Sequence, residues 1–157
     1  MKDLYDIGLR GRLPLFIENF LTDRTFRVRV GNIMSKYYEQ ENGVPQGSIL
    51  SVTLFSIKMN SIVEALKPGV DCGLYVDDFQ ISYRSKHVHT IERQLQQCLN
   101  KLQDWADENG FKFSKSKTVC MHFCQLRKQH PDPELYLEDT RIPLVEQSSY
   151  VSSLIGK

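Results

Sequence analysis

Two adjacent acids between two alternating apolar runs constrain this chain more than any other feature. Val70 to Val76 reads as one strand, and Phe79, Ile81 and Tyr83, alternating with Gln80, Ser82 and Arg84, as a return strand. Asp77-Asp78 lies between them, so the expected unit is an antiparallel hairpin, Val70 to Tyr83, with both acids at its turn. Two close carboxylates raise each other's pKa unless a cation neutralises them. Magnesium takes hard oxygen ligands, often one or two carboxylates plus substrate phosphates. Two such ions about 3.5–4 Å apart can clamp the attacking and leaving oxygens of a phosphoryl transfer. An Asp-Asp pair alone is a weak signal, better read as a solvated surface turn, so its surroundings must decide.

Those surroundings mix helices with strands. Leu13, Phe16, Ile17, Phe20 and Leu21 share one helical face, and Phe26, Val28 and Val30 alternate with Arg27 and Arg29 as a half-exposed strand. Gly31-Asn32 turns the chain into a second short strand near Met34 to Tyr38. Gly43-Val44-Pro45-Gln46-Gly47-Ser48 is a loop, because its Pro and Gly residues exclude regular structure. Ser48 suits the N-cap of a helix carrying Leu50, Leu54, Ile57, Ser61, Ile62 and Ala65, which Lys67-Pro68-Gly69 stops. The acidic hairpin is expected to pack on this helix. Val88, Ile91, Leu95, Cys98, Leu102 and Trp105 form a long stripe ended by Asn109-Gly110, which makes Trp105 a core residue rather than a base-stacking one. Val119, Met121 and Phe123 suggest a strand within Phe111 to Phe123, Gln129 to Pro133 a loop, and Leu135 to Val145 a hairpin about Glu138-Asp139-Thr140-Arg141. The class is α+β.

A chain of 157 residues, 41% hydrophobic and 25% charged, is long enough for one globular core. Its net charge of +1 is not the basic excess of a typical nucleic-acid binder, so any such role must rest on motifs and local charge. Arg24, Arg27 and Arg29 form such a local cluster, fit for template phosphates or for a solvated strand face. No apolar run is long enough to span a membrane, and Met1 to Asp6 has no signal-peptide core. The expectation is an intracellular chain, nuclear or cytoplasmic, with no membrane partner and no disulfide framework. Cys120, His122 and Cys124 would share one strand face, with His130 following. Their spacing is unlike that of structural zinc sites, which favours half-buried strand residues over a metal cluster.

Several of these segments, in order, resemble reverse transcriptases. Gly43 to Ser48 looks like the loop before the long palm helix (motif B), and Tyr75-Val76-Asp77-Asp78 like the catalytic hairpin (motif C). Gly110-Phe111 through Lys117-Thr118 looks like motif D, and Glu134 to Tyr150 lies where the family has its primer-grip hairpin, motif E. Asn19 to Arg24 followed by Val28 is similar to non-LTR (LINE-type) retrotransposons, with a jockey-like subtype expected. The resemblance implies a right-hand polymerase palm with an antiparallel sheet and packed helices, truncated at its N-terminus. Residues 1–130 would be partial palm and residues 131–157 the C-terminal hairpin and the start of the thumb. It implies RNA-directed DNA synthesis, with two magnesium or manganese ions in the complete site and an RNA template, a DNA primer and deoxynucleoside triphosphates as partners. Asp77 would be a direct metal ligand and Asp78 its supporting partner. Tyr75 and Val76 would lie near the primer end and incoming nucleotide, and Pro45, Gln46, Gly47 and Ser48 would shape the nucleotide and template pocket. Lys117 would sit near the departing pyrophosphate; a solvated surface lysine is the alternative.

The chain departs from the family pattern at Val52, where proline is usual, at Ser114, where asparagine is usual, and at Ser152-Ser153, near an expected glycine. The larger departure is motif A. That strand supplies the other essential aspartate and precedes a segment resembling Lys2 to Gly11, in which Asp3 and Asp6 are no substitutes because Leu4, Ile7 and Leu9 mark the following helix. The expectation is a truncated polymerase piece, with Met1 an internal methionine, inactive by itself. A group II intron maturase or retron palm, or a non-catalytic folded remnant, are the competing readings.

Overall fold

The structure is a computed structural model that describes residues 2–124 and 131–145. His130, Tyr150, Ser152 and Ser153, with part of the loop expected at Gln129 to Pro133, lie outside the described residues. The chain divides into two compact units, residues 1–61 and 62–157.

The first unit is built on helices α1 (Lys2–Asp6), α2 (Arg12–Leu21) and α3 (Ile49–Asn60). Leu4, Ile17 and Leu54 form its buried centre, with Leu9, Phe20, Leu21, Val44, Leu50 and Ile57 packed around them. Lys58 of α3 reaches Asp3 of α1 at 3.1 Å. Pro14 is tolerated because it falls in the first turn of α2, where backbone donors have no helical partner. The face expected for this helix is only half used: Ile17 is buried, while Leu13 and Phe16 stay exposed. Between α2 and α3 the chain makes an interrupted hairpin. Strands β1 (Thr25–Phe26) and β4 (Tyr38–Glu39) pair at its base, and β2 (Arg29–Val30) and β3 (Ile33–Met34) at its tip. The single strand expected from Phe26 to Val30 is broken because Ser35 takes over between the two ladders, its backbone N–H donating to Val28 O and its hydroxyl accepting from Val28 N–H.

In the second unit, β5 (Asp71–Tyr75) and β6 (Asp78–Ser82) form the acidic hairpin. Gly73 stands opposite Gln80, whose side chain lies so close that a Cβ on Gly73 would come within 2.8 Å of its Nε2. Helix α4 (Val88–Asn109) follows the expected stripe, burying Leu95, Cys98, Leu102 and Trp105. Gly110 closes it in the left-handed conformation, φ 73, and the indole of Trp105 stacks on Phe111 with ring centres 5.3 Å apart. The short strands β7 (Cys120–Met121), β8 (Tyr136–Leu137), β9 (Thr140–Arg141) and β10 (Leu144–Val145) complete it. Leu95, Leu135, Leu137 and Ile142 make the core under α4, with Ile81 and Tyr83 of the acidic hairpin against it. Gln96 extends the edge of β8 like another strand, accepting from the Tyr136 N–H at 2.8 Å and donating to its carbonyl at 2.9 Å. Glu92 accepts the Glu134 N–H at 3.0 Å, and this bond is the main reason its carboxyl is held below the usual range.

Further expectations need correction. The antiparallel sheet is present among the described residues only as separate two-stranded ladders, one of which, β7 with β10, is parallel. The strand expected within Phe111 to Phe123 shrinks to Cys120–Met121, because only these two residues find a partner; Val119 and Phe123 remain exposed. The helix after Ser48 ends at Asn60 and tightens into a 3₁₀ turn over Ser61–Ala65. In the second hairpin, Thr140 and Arg141 belong to the return strand, so the turn is Glu138-Asp139, with Glu138 at φ 51. Among the described residues no helix is long and apolar enough to cross a membrane.

Candidate active site

The register of the acidic hairpin fixes its tip. Tyr75 pairs with Asp78, leaving Val76 and Asp77 as the two central turn residues. Asp78 is therefore the first residue of the return strand rather than a turn residue, and the two acids differ in backbone setting. Val76 has φ 56, whereas Asp77 is not in the positive-φ region. Positive φ at the first central position alone is the pattern of a type II′ turn, where glycine is the usual occupant. A β-branched residue there holds its backbone against a cost of about 1–2 kcal/mol. The core contacts of Ile81 and Tyr83 anchor the hairpin behind the turn, while Tyr75, Val76, Asp77 and Asp78 are all exposed.

Carboxylate oxygens are the donors a magnesium ion takes, so the tip fits a divalent ion in kind. It does not complete a site by itself: among the described residues no group of three His, Cys, Asp or Glu side chains could hold a metal ion. His122 pairs instead with Asp132, Nδ1 to Oδ1 at 3.0 Å, and burial pushes the Cys120 thiol up, helped by the Asp132 charge.

Lys117 lies in the same unit, in an exposed turn whose backbone closes on Ser114: the N–H groups of Lys117 and Thr118 donate to Ser114 O at 3.2 and 3.0 Å. The neighbouring Lys115 pairs with Glu138 at the tip of the β8–β9 hairpin.

Pro45, Gln46, Gly47 and Ser48 lie in the first unit, in the irregular stretch before α3. Gly47 has φ 90 and Gly43 φ 82, and a Cβ on either would meet nothing within 4 Å. The backbone conformation, not crowding, calls for glycine here. Ser48 occupies the N-cap position but makes no capping bond. The buried Ser51 ties loop to helix instead, its hydroxyl donating to Pro45 O at 2.5 Å. Val52, where proline was expected, is exposed.

Sequence reasoning left Arg24 in a basic cluster fit for template phosphates or for a solvated strand face, and missed its structural role. Its Nε donates to Leu21 O at 2.9 Å, at the end of α2, and its guanidinium reaches Gly43 O at 2.7 Å and Asn42 O at 3.5 Å. Arg24 thus clamps the start of the Gly43–Ser48 loop to the helix. The planar fork spanning separated carbonyls is what lysine cannot reproduce. Arg24→Ala is expected to speed amide exchange in residues 42–48 about tenfold, equivalent to about 1.5 kcal/mol of lost charge-assisted bonding. Arg24→Lys should fall between, and exchange in α4 should not change.

Comparison with known proteins places the sequence in a family. Residues 1–150 match the family described as reverse transcriptase (RNA-dependent DNA polymerase). Over 98% of its length the chain is 27% identical to the "Probable RNA-directed DNA polymerase from transposon X-element" of Drosophila melanogaster, covering 18% of that protein. It is 30% identical, over 71% of its length, to the RNA-directed DNA polymerase from mobile element jockey of the same fly, covering 13% of it. Against the jockey polymerase of Drosophila funebris the identity is 31% over 78% of the chain and 14% of the relative. The chain thus spans less than a fifth of the length of these relatives. No solved structure matches it. With the family match running over 150 residues, and relatives from non-LTR elements in which jockey itself figures, the chain belongs to the reverse transcriptase (RNA-dependent DNA polymerase) family, as a piece similar to the polymerases of non-LTR retrotransposons.

Proposed function

We propose that this chain is the part of a right-hand polymerase palm that carries one of the two carboxylate strands needed for RNA-templated DNA synthesis. The observation that carries this reading is the exposed acid pair at a tight, anchored hairpin turn, Tyr75 to Asp78, in a chain matching the reverse transcriptase family from residue 1 to 150. In the complete enzyme the 3′-hydroxyl oxygen of a DNA primer attacks the α-phosphorus of a deoxynucleoside triphosphate opposite an RNA template, and the bond to pyrophosphate breaks. Such transfer depends on positioning and electrostatics rather than covalent help. Divalent ions, magnesium or manganese, would supply the charge that the attacking and leaving oxygens need.

The chain's own residues have separate parts. Asp77, one of the two central residues of the turn, offers its carboxylate as a direct metal ligand. Asp78, fixed in the ladder opposite Tyr75, supports it. Tyr75 and Val76 flank the primer end and the incoming nucleotide. Pro45, Gln46, Gly47 and Ser48 shape the nucleotide and template pocket, with Arg24 and Ser51 holding that loop in its left-handed turns. Lys117 faces the departing pyrophosphate, where a cation offsets developing negative charge.

A two-metal site takes carboxylates from two strands, and these 157 residues supply one. The chain alone is therefore read as inactive. Magnesium gives up its waters reluctantly and needs phosphates or further carboxylates to hold it. Calorimetric titration of the chain with magnesium is expected to give an affinity of about 1 mM or weaker, from that ligand count. Two tight sites would contradict this and would mean that another acid completes the centre.

A further inference from the structure

The β1–β4 hairpin has no core of its own. Each of its strand residues is exposed, and so are the large side chains Phe26, Val30, Ile33, Tyr37 and Tyr38, with Ile33 at 77% and Tyr37 at 65%. An isolated two-stranded hairpin is marginal in water, so an element built this way is fitted to something that covers it.

Its charge says what. Residues 25–39 carry Arg27, Arg29 and Lys36 against the single acid Glu39, in a chain whose net charge is only +1. The cations are interleaved with the rings: the Arg27 guanidinium lies 5.0 Å from the Tyr37 ring centre and the Lys36 ammonium 5.2 Å from that of Tyr38. Tyr38 in turn stacks on Phe26 across the ladder, with centres 5.8 Å apart. An apolar protein partner would have to bury three cations with one carboxylate to balance them, an unfavourable desolvation. A nucleic-acid strand matches both halves of the pattern, its phosphates taking the cations and its bases the rings. Base faces are free for stacking only when the strand is unpaired, since those of a duplex are already stacked.

We propose that the Thr25–Glu39 hairpin is a binding surface for a single-stranded nucleic acid, gripped by Arg27, Arg29 and Lys36 through its phosphates and by Tyr37 and Tyr38 through its bases. The inference deepens the polymerase reading by naming where an unpaired strand is held outside the acidic centre.

The test is fluorescence anisotropy of the full chain at low salt with three labelled probes: a single-stranded RNA, the same sequence as DNA, and the duplex. Both single strands should bind more tightly than the duplex. The preference between them identifies the strand held, RNA pointing to template and DNA to product or primer. Replacing Arg27, Arg29 and Lys36 together by glutamine should weaken single-strand binding about tenfold or more and flatten the salt slope by about 2, at about 0.7 per phosphate contact. A control replacing Lys86, Lys101 and Lys112 by glutamine removes the same charge from exposed positions elsewhere and should leave binding within about twofold. Tyr37→Ala should weaken binding about fivefold through lost stacking. Should the triple variant disturb the hairpin, photocrosslinking of thiouridine-labelled RNA to the unaltered chain still decides, with crosslinks expected at Tyr37 and Tyr38. Tightest binding to duplex, no binding to any probe, equal losses in variant and control, or crosslinks confined to other segments would each overturn the inference. None of these touches the polymerase reading, which stands or falls on incorporation that depends on Asp77.

Discussion

Asp77→Ala is expected to lower nucleotide incorporation at least about a thousandfold in a longer protein that also carries the second aspartate strand and the thumb. The size follows from the geometry of the tip. Asp77 is one of only two central residues in its turn, and the other, Val76, has no oxygen to offer in its side chain. Neither central position of the turn then offers a carboxylate. Asp78→Ala should be severe but less complete, because Asp78 is held in the ladder opposite Tyr75 and has a supporting part in the proposed centre. Steady-state incorporation on an RNA template, with folding checked by circular dichroism, measures both. Equal activity of Asp77→Ala and the unaltered protein would remove Asp77 from the chemistry.

The second large effect is structural. Trp105→Ala is expected to cost about 3–5 kcal/mol, the usual range for removing a large buried aromatic. Trp105 is only 9% exposed, and its removal also loses the stack on Phe111. At about 2–4 °C per kcal/mol for a chain of this size, the thermal midpoint should fall by about 10 °C. An unchanged midpoint would mean that the indole serves a ligand rather than the core.

How much of this could be read beforehand depended on the length of the signal. The 22-residue α4 was legible because six stripe positions repeat at one period and Gly110 closes the helix in the conformation glycine favours. The acidic hairpin was legible as a hairpin because apolar runs lie on both sides of the acids, but its register was not: the expected Asp77-Asp78 turn is Val76-Asp77, with Tyr75 paired to Asp78. Nothing about valine announces φ 56 at Val76, and only the pairing of Tyr75 with Asp78 imposes it. Alternation misled at Val119 and Phe123, since strand character needs a partner and only Cys120 and Met121 find one, in β10. Of the site, the acid pair and the Gly43–Ser48 loop could be named from their residue types. The clamp that holds the loop could not, because Arg24 reaches Gly43 across 19 positions and an arginine beside two others reads as surface charge. Likewise Ser51 falls in phase with the buried Leu54, and nothing about a serine there signals that its hydroxyl turns back to Pro45.

Nucleotide incorporation by the 157-residue chain itself, on a primed RNA template with magnesium or manganese, bears most directly on the claim that Asp77 and Asp78 are one half of a two-strand metal centre. The result predicted is incorporation at background for the chain alone and restored synthesis, abolished again by Asp77→Ala, once the second aspartate strand and the thumb are present. Clear incorporation by the chain alone, lost on Asp77→Ala, would contradict it, because a complete set of catalytic carboxylates would then have to lie within these residues.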